Sequence, residues 1–432
     1  MKKIISLIIV CTIIISGMFI YGKSDKKDLL EDNNGPIIAA VIDGKASTTF
    51  PTTNKYTATV ECTRNGIKQD VGAKATWNGT KWVVSFNDIS AGNVRCNATF
   101  ITKVPTFSET ILANNKVKAP ITTPGATIST ASEALLASTE DDYGTSYYFR
   151  GAVTNNYVEF ANKCWRIVRV GGDGSVKLIL HNDNPTGSAN PCDAANNSAS
   201  AAFAHYNGST YTSRFNENYD DNAYIGFKYG TPGSSKYETT HANTNKSTIL
   251  TNLETWYTNN LKTYESVIDD TVWCNDKTNV TDTSYDPWSI TPNGLGYAKN
   301  VTYYGATKRL VGTSGSAGGT GPSLKCNGEL SKINSKVGLI TADELALAGY
   351  AAGTGNTTTY LQENATDTYW WSLSPYSFYG VYASVWSVDG SNGFFDFNNV
   401  NNTFGVRPSI SLKSTTNVTG NGTSDSPYII ST

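Results

Sequence analysis

Residues 370–412 read WWSLSPYSFYGVYASVWSVDGSNGFFDFNNVNNTFGVRPSISL, and the fold assigned to the C-terminal half of the chain depends on them. Between Pro375 and Gly405 the segment is crowded with Tyr, Phe, Asn, Ser and Gly, and its only charged residues are Asp389 and Asp396. The aromatic positions follow neither the two-residue period of a strand nor the 3.6-residue period of a helix. The pattern therefore predicts a loop-like segment that presents aromatic side chains at the surface.

Length and charge limit the classes of function. The chain has 432 residues, a length that suits two or three domains. Only 16% of the residues are charged and the net charge is −2. The chain therefore lacks the excess of Lys and Arg that binds the phosphates of a nucleic acid. The composition argues against DNA and RNA as partners.

Residues 1–23 are expected to be a targeting segment. After the basic start MKK, residues 4–21 form an almost unbroken apolar run that is long enough to cross a membrane as a helix. A signal anchor is favoured over a cleaved signal peptide, because residues 16–21 offer only a poor cleavage site; a lipoprotein anchored through Cys11 is a weaker alternative. Residues 24–35 then form a spacer, and the rest of the chain is expected at the cell surface, outside the membrane.

Six cysteines follow the apolar segment, and they predict three disulfides. An even number of cysteines fits an oxidising compartment outside the cell. The expected pairs are Cys62–Cys96 within one small domain, Cys274–Cys326 across a Gly-rich excursion, and Cys164–Cys192. A structural zinc site would need close Cys or His pairs, which the sequence lacks, so no metal is predicted.

Residues 36–104 are predicted to form a small Ig-like β-sandwich. The runs YTATVEC, ATWNGTKWVVSF and NVRCNATF are rich in Val, Thr and aromatic residues, and Asn78-Gly79 is a strong hairpin signal. Cys62 and Cys96 lie on the first and last run with Trp82 between them. This order is typical of a sandwich whose disulfide joins its two sheets.

Residues 105–143 are interpreted as a connector with a short helix at 132–136, and residues 144–432 as one large α+β domain. In that domain two β-prone runs flank the glycine-rich turn at 171–174. Two helices are predicted: one begins after an N-cap at Ser247, and the other has a capping box of Thr341 and Glu344 and ends at Gly349.

The segments EDDYGTSYYFRGAV, CWRIVRVGGDGSVKLIL, VWCND, PSLKC, VGLITADELALAG, YWWSLSP and FGVRPSISL occur in this order along the domain. With this set of motifs the domain resembles C-type-lectin-like domains of the formylglycine-generating-enzyme type in bacterial surface proteins. The resemblance implies a mainly β chain with an α+β, C-type-lectin-like C-terminal domain. The β-sandwich module likewise resembles a repeat found beside such domains.

This fold class includes enzymes and binding proteins, so the residues must distinguish them. The enzymes that it resembles use a reactive cysteine pair near the C-terminal end, but the last cysteine here is Cys326. Related members bind iron through histidines. Here the only histidines are His181, His205 and His241, and they are not spaced along the sequence as metal ligands usually are. We therefore expect no catalytic residue, no cofactor and no enzyme. An enzyme with an unrecognised site and a structural surface protein are the alternatives.

The resemblance also implies that residues 376–404 form the ligand-facing surface of an adhesin or receptor, whose ligand is an unknown protein or glycan. Tyr, Ser, Gly and Asn are typical of such surfaces. The Tyr and Phe side chains should lie side by side at the surface. The expected ligand-binding residues are Tyr376, Phe378, Tyr379, Tyr382, Ser384, Trp386, Asp389, Phe394, Phe395, Phe397, Asn398, Asn399, Asn401, Asn402 and Phe404.

Some members of the resembled fold are diversified by retroelements that randomise adenines, chiefly in Asn codons. Such codons yield Asn, Tyr, Ser, Asp, Phe, Val, Gly, Thr and Ala, but not Lys, Glu, Gln, Met or Trp. Residues 376–404 contain no Lys, Glu, Gln or Met. The single Trp386 could belong to the positions of the segment that are not randomised. An Asn-rich genome that encodes an exposed loop would give a similar composition, so both interpretations stay open.

Overall fold

A computed structural model describes residues 36–87, 94–206, 209–289, 297–298 and 300–430. The chain divides into two compact units, Met1–Val104 and Pro105–Thr432. Both are built mainly from β-strands in several sheets, which confirms the predicted fold at that level. The expected membrane anchor at residues 4–21 and the spacer at 24–35 lie outside the described residues. Among the helices that are described, none is long and apolar enough to cross a membrane.

The N-terminal unit contains one five-stranded sheet and one two-stranded sheet among its described residues. The larger sheet has the order β2-β1-β7-β3-β4, and β5 and β6 form the smaller one. Apolar residues of both sheets, including Phe100 and Trp82, pack together. The strands are β1 (Ile37–Ile42), β2 (Lys45–Ser47), β3 (Tyr56–Arg64), β4 (Ile67–Gln69), β5 (Lys74–Trp77), β6 (Trp82–Ser85) and β7 (Val94–Thr102).

The turn between β5 and β6 confirms the hairpin that was predicted at Asn78-Gly79. The Asn78 side chain accepts the backbone N–H groups of Thr80 and Lys81 at 3.1 and 2.9 Å. Gly79 has φ of 100°, a conformation that residues with a Cβ atom rarely adopt.

The Cys62–Cys96 disulfide is present, but it joins neighbouring strands of one sheet. The expectation that it crosses between two sheets was wrong. The two cysteine-bearing strands are long and pair along their whole length, from Tyr56 opposite Thr102 to Arg64 opposite Val94, which places Cys62 directly opposite Cys96. The β5–β6 hairpin, which lies between them in sequence, forms a separate sheet.

The C-terminal unit contains five α-helices among its described residues. The predicted Ser247 N-cap is confirmed, since its hydroxyl accepts the Leu250 N–H at 3.4 Å. The capping box of Thr341 and Glu344 and the stop at Gly349 are also confirmed. The helices are α1 (Phe107–Asn114), α2 (Tyr237–Thr240), α3 (Thr248–Asn260), α4 (Gly305–Leu310) and α5 (Ala342–Ala348).

Its strands form two large sheets and several small ribbons. The eight-stranded sheet has the path β25-β12-β11-β10-β27-β26, with β9 and β8 joined through β11; the six-stranded sheet has the path β15-β24-β21-β22-β23, with β19 beside β21. The strands are β8 (Ala134–Asp141), β9 (Gly144–Gly151), β10 (Tyr157–Phe160), β11 (Lys163–Val170), β12 (Val176–Asn182), β13 (His205–Tyr206), β14 (Ser209–Thr210), β15 (Thr212–Arg214), β16 (Lys228–Tyr229), β17 (Asn245–Lys246), β18 (Thr271–Cys274), β19 (Thr302–Tyr303), β20 (Lys332–Ser335), β21 (Trp370–Tyr379), β22 (Tyr382–Val388), β23 (Phe395–Asn399), β24 (Thr403–Gly405), β25 (Ser409–Leu412), β26 (Val418–Thr419) and β27 (Tyr428–Ile430).

The short helix predicted at residues 132–136 was wrong, because this part of the chain enters β8. That strand pairs with β9 at every position from Ala134 opposite Gly151 to Asp141 opposite Gly144. The Ala and Leu residues favour a helix in isolation, but the cross-strand pairing and the burial of Leu136 favour the strand. The glycine-rich turn at 171–174 does connect two paired strands, β11 and β12, as predicted.

Two further disulfides, Cys164–Cys192 and Cys274–Cys326, lie in the C-terminal unit. Together with Cys62–Cys96 they make the three bonds that the cysteine count predicts. The prediction of a disulfide-bonded protein is therefore confirmed.

The Glu344 carboxylate is buried at the start of α5 and binds donors from three elements. One oxygen accepts the Thr341 backbone N–H at 2.9 Å. The other accepts Arg169 Nε of β11 at 2.9 Å and Lys177 Nζ of β12 at 2.7 Å. Burial opposes ionisation, but the charges of Lys177 and Arg169 outweigh it and lower the pKa of Glu344 to about 2.

Glu344→Gln should lower the free energy of unfolding at neutral pH by about 3–5 kcal/mol, because the neutral amide removes the negative charge that Arg169 and Lys177 bind in the interior. The pKa of Glu344 lies below its usual value of 4.5, so its stabilising contribution is complete above that pH and is lost as the pH falls toward about 2. Urea unfolding curves at a series of pH values should show the two proteins converging in acid.

Glu329→Gln is the matched control. Glu329 also binds a lysine, Lys332 at 2.8 Å, but its side chain is 87% exposed. This change should alter stability by less than about 1 kcal/mol. Equal losses in the two variants would contradict the structural role assigned to Glu344.

Candidate ligand-binding face

The segment between Pro375 and Gly405 is not loop-like, and that prediction was wrong. It forms the end of β21 and the strands β22, β23 and β24. The pairing register of β21 with β22 shifts between Trp371 and Pro375 and again between Pro375 and Ser377. Such irregularities interrupt the two-residue alternation. Much of the hairpin is also buried on both faces, which removes the contrast between apolar and polar positions.

One face of this sheet passes from the core to the surface. On β22 the alternate residues Tyr382, Ser384, Trp386 and Val388 share this face. Val388 and Trp386 are fully buried, whereas Tyr382 is 44% exposed. The face therefore emerges toward the turn that joins β21 to β22.

Five partly or largely exposed aromatic side chains lie on or beside the emerging part of this face, and we call them the aromatic patch. Tyr379 lies directly opposite Tyr382, and Phe397 lies opposite Trp386. Tyr379, Tyr382 and Phe397 are 49%, 44% and 40% exposed. The patch consists of Tyr219, Trp288, Tyr379, Tyr382 and Phe397.

Ring contacts hold the aromatic patch in place. Tyr219 stacks on Tyr382 with ring centroids 5.4 Å apart. Phe397 stacks on the buried Tyr376 at 4.1 Å, and Trp288 packs against the same ring at 5.8 Å. These contacts orient the exposed rings against a rigid base.

Sequence reasoning missed Tyr219 and Trp288. Tyr219 lies in NYDDN, an acidic cluster of the kind that is typical of a solvated turn. Trp288 is an isolated aromatic residue in a polar stretch. Neither has a local signal, because each reaches the patch only through the fold: the Tyr219 carbonyl, for example, accepts the Ala383 N–H at 2.7 Å.

The predicted ligand-binding residues fall into three groups by exposure. Tyr379, Tyr382, Phe394 and Phe397 are exposed, and the half-buried ones are Asp389, Asn398, Asn399, Asn401, Asn402 and Phe404. The buried ones are Tyr376, Phe378, Ser384, Trp386 and Phe395.

The predicted surface position of Tyr376, Phe378 and Phe395 was therefore wrong. Phe378 lies between Ala383 of β22 and Thr302 of β19 in the pairing register and is fully buried. Phe395 packs on Trp386 at 4.6 Å and on Tyr350 at 5.8 Å. These buried rings belong to the hydrophobic core of the C-terminal unit.

The expectation that all the Tyr and Phe rings lie side by side was also wrong, and Phe394 shows why. It belongs to the turn after β22, whereas Tyr379 and Tyr382 lie at the other end of that seven-residue strand. At about 3.3 Å per residue, the two ends are roughly 20 Å apart. Phe394 is therefore not part of the aromatic patch.

The amide and hydroxyl side chains of this region bind one another. Asn398 Nδ2 donates to Ser387 Oγ at 2.9 Å, and Asn402 Nδ2 donates to Asn398 Oδ1 at 3.2 Å. Ser384 Oγ donates to Asn399 Oδ1 at 3.1 Å. These bonds join β22 to β23 and the turn after it, so the amides brace the sheet as well as lying near its surface.

The two carboxyl groups of the segment differ. Asp389 accepts the Ser391 backbone N–H at 2.9 Å and its hydroxyl at 2.8 Å, and so it shapes the turn before β23. Burial raises the pKa of Asp396 to about 6. A half-buried carboxyl group of this kind changes its charge close to neutral pH.

A separate cleft lies beside the Cys274–Cys326 disulfide, and most of the residues that line it are charged. Its charges bind one another: Arg309 forms ion pairs with Asp343 at 2.7 Å and with Asp276 at 2.6 Å. Asp142 accepts the Cys326 N–H at 3.1 Å. The geometry suits a structural network, because the ionic groups that line the cleft are mostly already paired.

The three histidines belong to different elements: His181 to β12, His205 to β13, and His241 follows α2 directly. His181 and His241 are fully buried, and burial lowers the pKa of each, so both are neutral at pH 7. His205 Nδ1 lies 2.8 Å from the Phe203 carbonyl. Within the described residues, no group of three or more His, Cys, Asp or Glu side chains could hold a metal ion.

Two phenylalanines of β23 provide a test of which rings are core. Phe395→Ala should lower the free energy of unfolding by about 3–5 kcal/mol, because it removes a fully buried ring. Phe397→Ala should cost about 1–2 kcal/mol, since its ring is 40% exposed and stacks on one side. Urea denaturation of the two variants beside the parent measures both values. Equal losses would place Phe397 in the core and remove it from the aromatic patch.

Comparison with known families gives one match. Residues 246–414 match a family described as a domain of unknown function (DUF6273). This span runs from the end of β17 through β25, and it includes every residue of the aromatic patch except Tyr219. No curated protein and no solved structure matches the chain.

Proposed function

We propose that the protein is a cell-surface ligand-binding protein, an adhesin or receptor, and that the aromatic patch is its binding face. The observation that carries this proposal is the concentration of exposed apolar groups. Twelve large apolar side chains are exposed in the described part of the C-terminal unit. Four of them belong to the patch, and a fifth, Val381, lies in the turn beside it. Such a cluster marks a surface that a partner covers.

The construction of the patch also supports binding. Tyr and Trp rings provide a large contact area with few rotatable bonds, and here stacking already restricts them. A side chain that is oriented before binding loses less conformational entropy when the ligand arrives. Asn399 is half-buried on the same face and can supply hydrogen bonds to a protein or glycan.

We also propose that the C-terminal unit has a C-type-lectin-like fold of the formylglycine-generating-enzyme type, preceded by an Ig-like module. The support comes from the motifs, because YWWSLSP, VGLITADELALAG and CWRIVRV form β21, α5 and β11, which meet in one core. For the N-terminal module, the packing of two sheets around Trp82 supports the proposal, although its disulfide lies within one sheet.

Diversification of residues 376–404 by a retroelement is part of this proposal. The exposed positions Tyr379, Tyr382 and Phe397 carry residue types that altered Asn codons can encode, and Trp386, which they cannot encode, is buried as part of the frame. A reverse transcriptase gene and a near-copy of this coding stretch in the neighbouring DNA are the expected findings. Their absence would leave an Asn-rich genome as the explanation.

The proposal places residues 24–432 outside the cell, with residues 4–21 in the membrane. Its basis is the sequence MKK before a long apolar run and the three disulfides beyond it. Protease added to intact cells should digest the C-terminal unit. Protection of that unit until the cells are lysed would contradict the proposed location.

Binding is tested with the full chain and a Tyr379→Ala/Tyr382→Ala double variant, applied to a printed glycan array and to an array of immobilised extracellular proteins. Loss of two anchor side chains should weaken binding to whichever probe the parent binds by at least about tenfold, as expected for 1–2 kcal/mol per anchor. Tyr206→Ala is the control, because Tyr206 is 61% exposed and is not part of the patch. Equal loss in the control, or no binding by the parent to either array, would contradict the proposed function.

A further inference from the structure

Two arginines are buried close together in the C-terminal unit, and only one of them has a carboxylate partner. Arg166 Nη1 binds Glu363 at 2.8 Å, and its other nitrogens bind Asn156 and the Val153 carbonyl. Arg407 is 1% exposed and forms no ion pair with any described residue. Its Nε donates to the Leu180 carbonyl at 3.0 Å and its Nη1 donates to the Leu361 carbonyl.

The second terminal nitrogen of Arg407, Nη2, is buried and has no hydrogen-bond partner. Burial lowers the pKa of Arg407 to about 10, so the guanidinium remains charged at neutral pH. An uncompensated charge in the interior is unfavourable by several kcal/mol. Glu363 also acts on the charge of Arg407, but this carboxylate is already bound to Arg166, so two buried guanidinium groups share one carboxylate and Nη2 has no acceptor.

Arg150 shows how the same unit compensates a buried arginine elsewhere. It is also fully buried, and it forms an ion pair with Glu133 at 3.0 Å. Its terminal nitrogens donate to the Ala346 and Leu347 carbonyls and to Thr122 Oγ1. Every nitrogen of Arg150 has an acceptor, which makes the free nitrogen of Arg407 a specific feature.

Further unpartnered polar atoms belong to the neighbours of Arg407. The Trp370 ring lies 4.9 Å from the guanidinium, and its Nε1 has no acceptor. The Tyr360 hydroxyl is also buried without a partner. Arg166 lies over the Tyr360 ring, with its Cζ 5.2 Å from the ring centroid, and Arg407 binds the carbonyl of the next residue, Leu361. The positive charges of both arginines accordingly oppose the burial that raises the pKa of Tyr360.

His181 adds another donor. Asn364 Nδ2 lies 3.2 Å from its Nε2, and because an amide nitrogen can only donate, Nε2 accepts. Burial and the charges of Arg166 and Arg407 keep the His181 pKa well below its usual value, so the ring is neutral and carries its proton on Nδ1. This Nδ1 is buried and unpartnered as well.

We propose that a small monovalent anion, chloride in most biological fluids, binds in the interior at Arg407 Nη2 beside the Tyr360 hydroxyl. Every unmatched group here can donate a hydrogen bond, and the unmatched charge is positive. A chloride ion accepts several hydrogen bonds and offers none, and it supplies the missing negative charge. A water molecule would need acceptors for its own two hydrogens and would leave the charge uncompensated.

The direct test is a crystal of the full chain grown in sodium bromide, with diffraction data collected at the bromine absorption edge. An anomalous peak within hydrogen-bond distance of Arg407 Nη2 is expected. A water molecule there, or no density, would overturn the proposal.

Thermal unfolding gives a test in solution. At constant ionic strength, replacing gluconate by chloride should raise the unfolding midpoint by a few degrees, because gluconate is too large to enter the site. Tyr360→Phe removes one ligand and keeps the ring, so it should reduce this chloride-dependent shift by at least half. Tyr303→Phe is the control: its hydroxyl is likewise buried and unpartnered, but no arginine influences its pKa. The same midpoint in both salts, or equal reduction in both variants, would overturn the proposal.

Discussion

The carboxylate of Glu344 fixes the point where the two large sheets of the C-terminal unit meet. Through Arg169 and Lys177 it holds the start of α5 against β11 and β12 of the eight-stranded sheet. The chain around the same helix start also binds the six-stranded sheet, since the Ala342 N–H donates to Ser374 Oγ at 2.9 Å and the Leu373 N–H donates to the Ile340 carbonyl at 2.8 Å. Strand β21, which ends at Tyr379 of the aromatic patch, is thus attached to the rest of the fold at this junction.

That attachment explains how one strand can serve both core and surface. Trp370 and Trp371 at the beginning of β21 are fully buried, and Tyr379 at its end is half exposed. The buried end fixes the direction of the hairpin, and the exposed end can then vary in side chain without altering the sheet. In a binding protein this separates the residues that maintain the fold from those that meet the ligand.

Signals that depend on a few neighbouring residues could be predicted from the sequence. The caps at Ser247 and Thr341, the hairpin at Asn78 and the Cys62–Cys96 disulfide are of this kind, because their causes lie within one turn of chain or one small unit. The strands β21–β24 could not be predicted, because bulges and burial on both faces hide their period. The patch could be predicted only in part: burial of Phe395 depends on Tyr350, and Tyr219 reaches the patch from a distant turn.

The pairing of β27 with β10 bears on when the protein can fold. Val158 lies opposite Tyr428, a sequence separation of 270 residues. Contacts of such long range form late, because the entropy of closing so large a loop must be overcome first. The eight-stranded sheet cannot close while a ribosome or a translocation channel still holds β27. The eight-stranded sheet therefore stays incomplete until almost all of the C-terminal unit has been synthesised, and until then the edge of β10 that β27 covers is exposed.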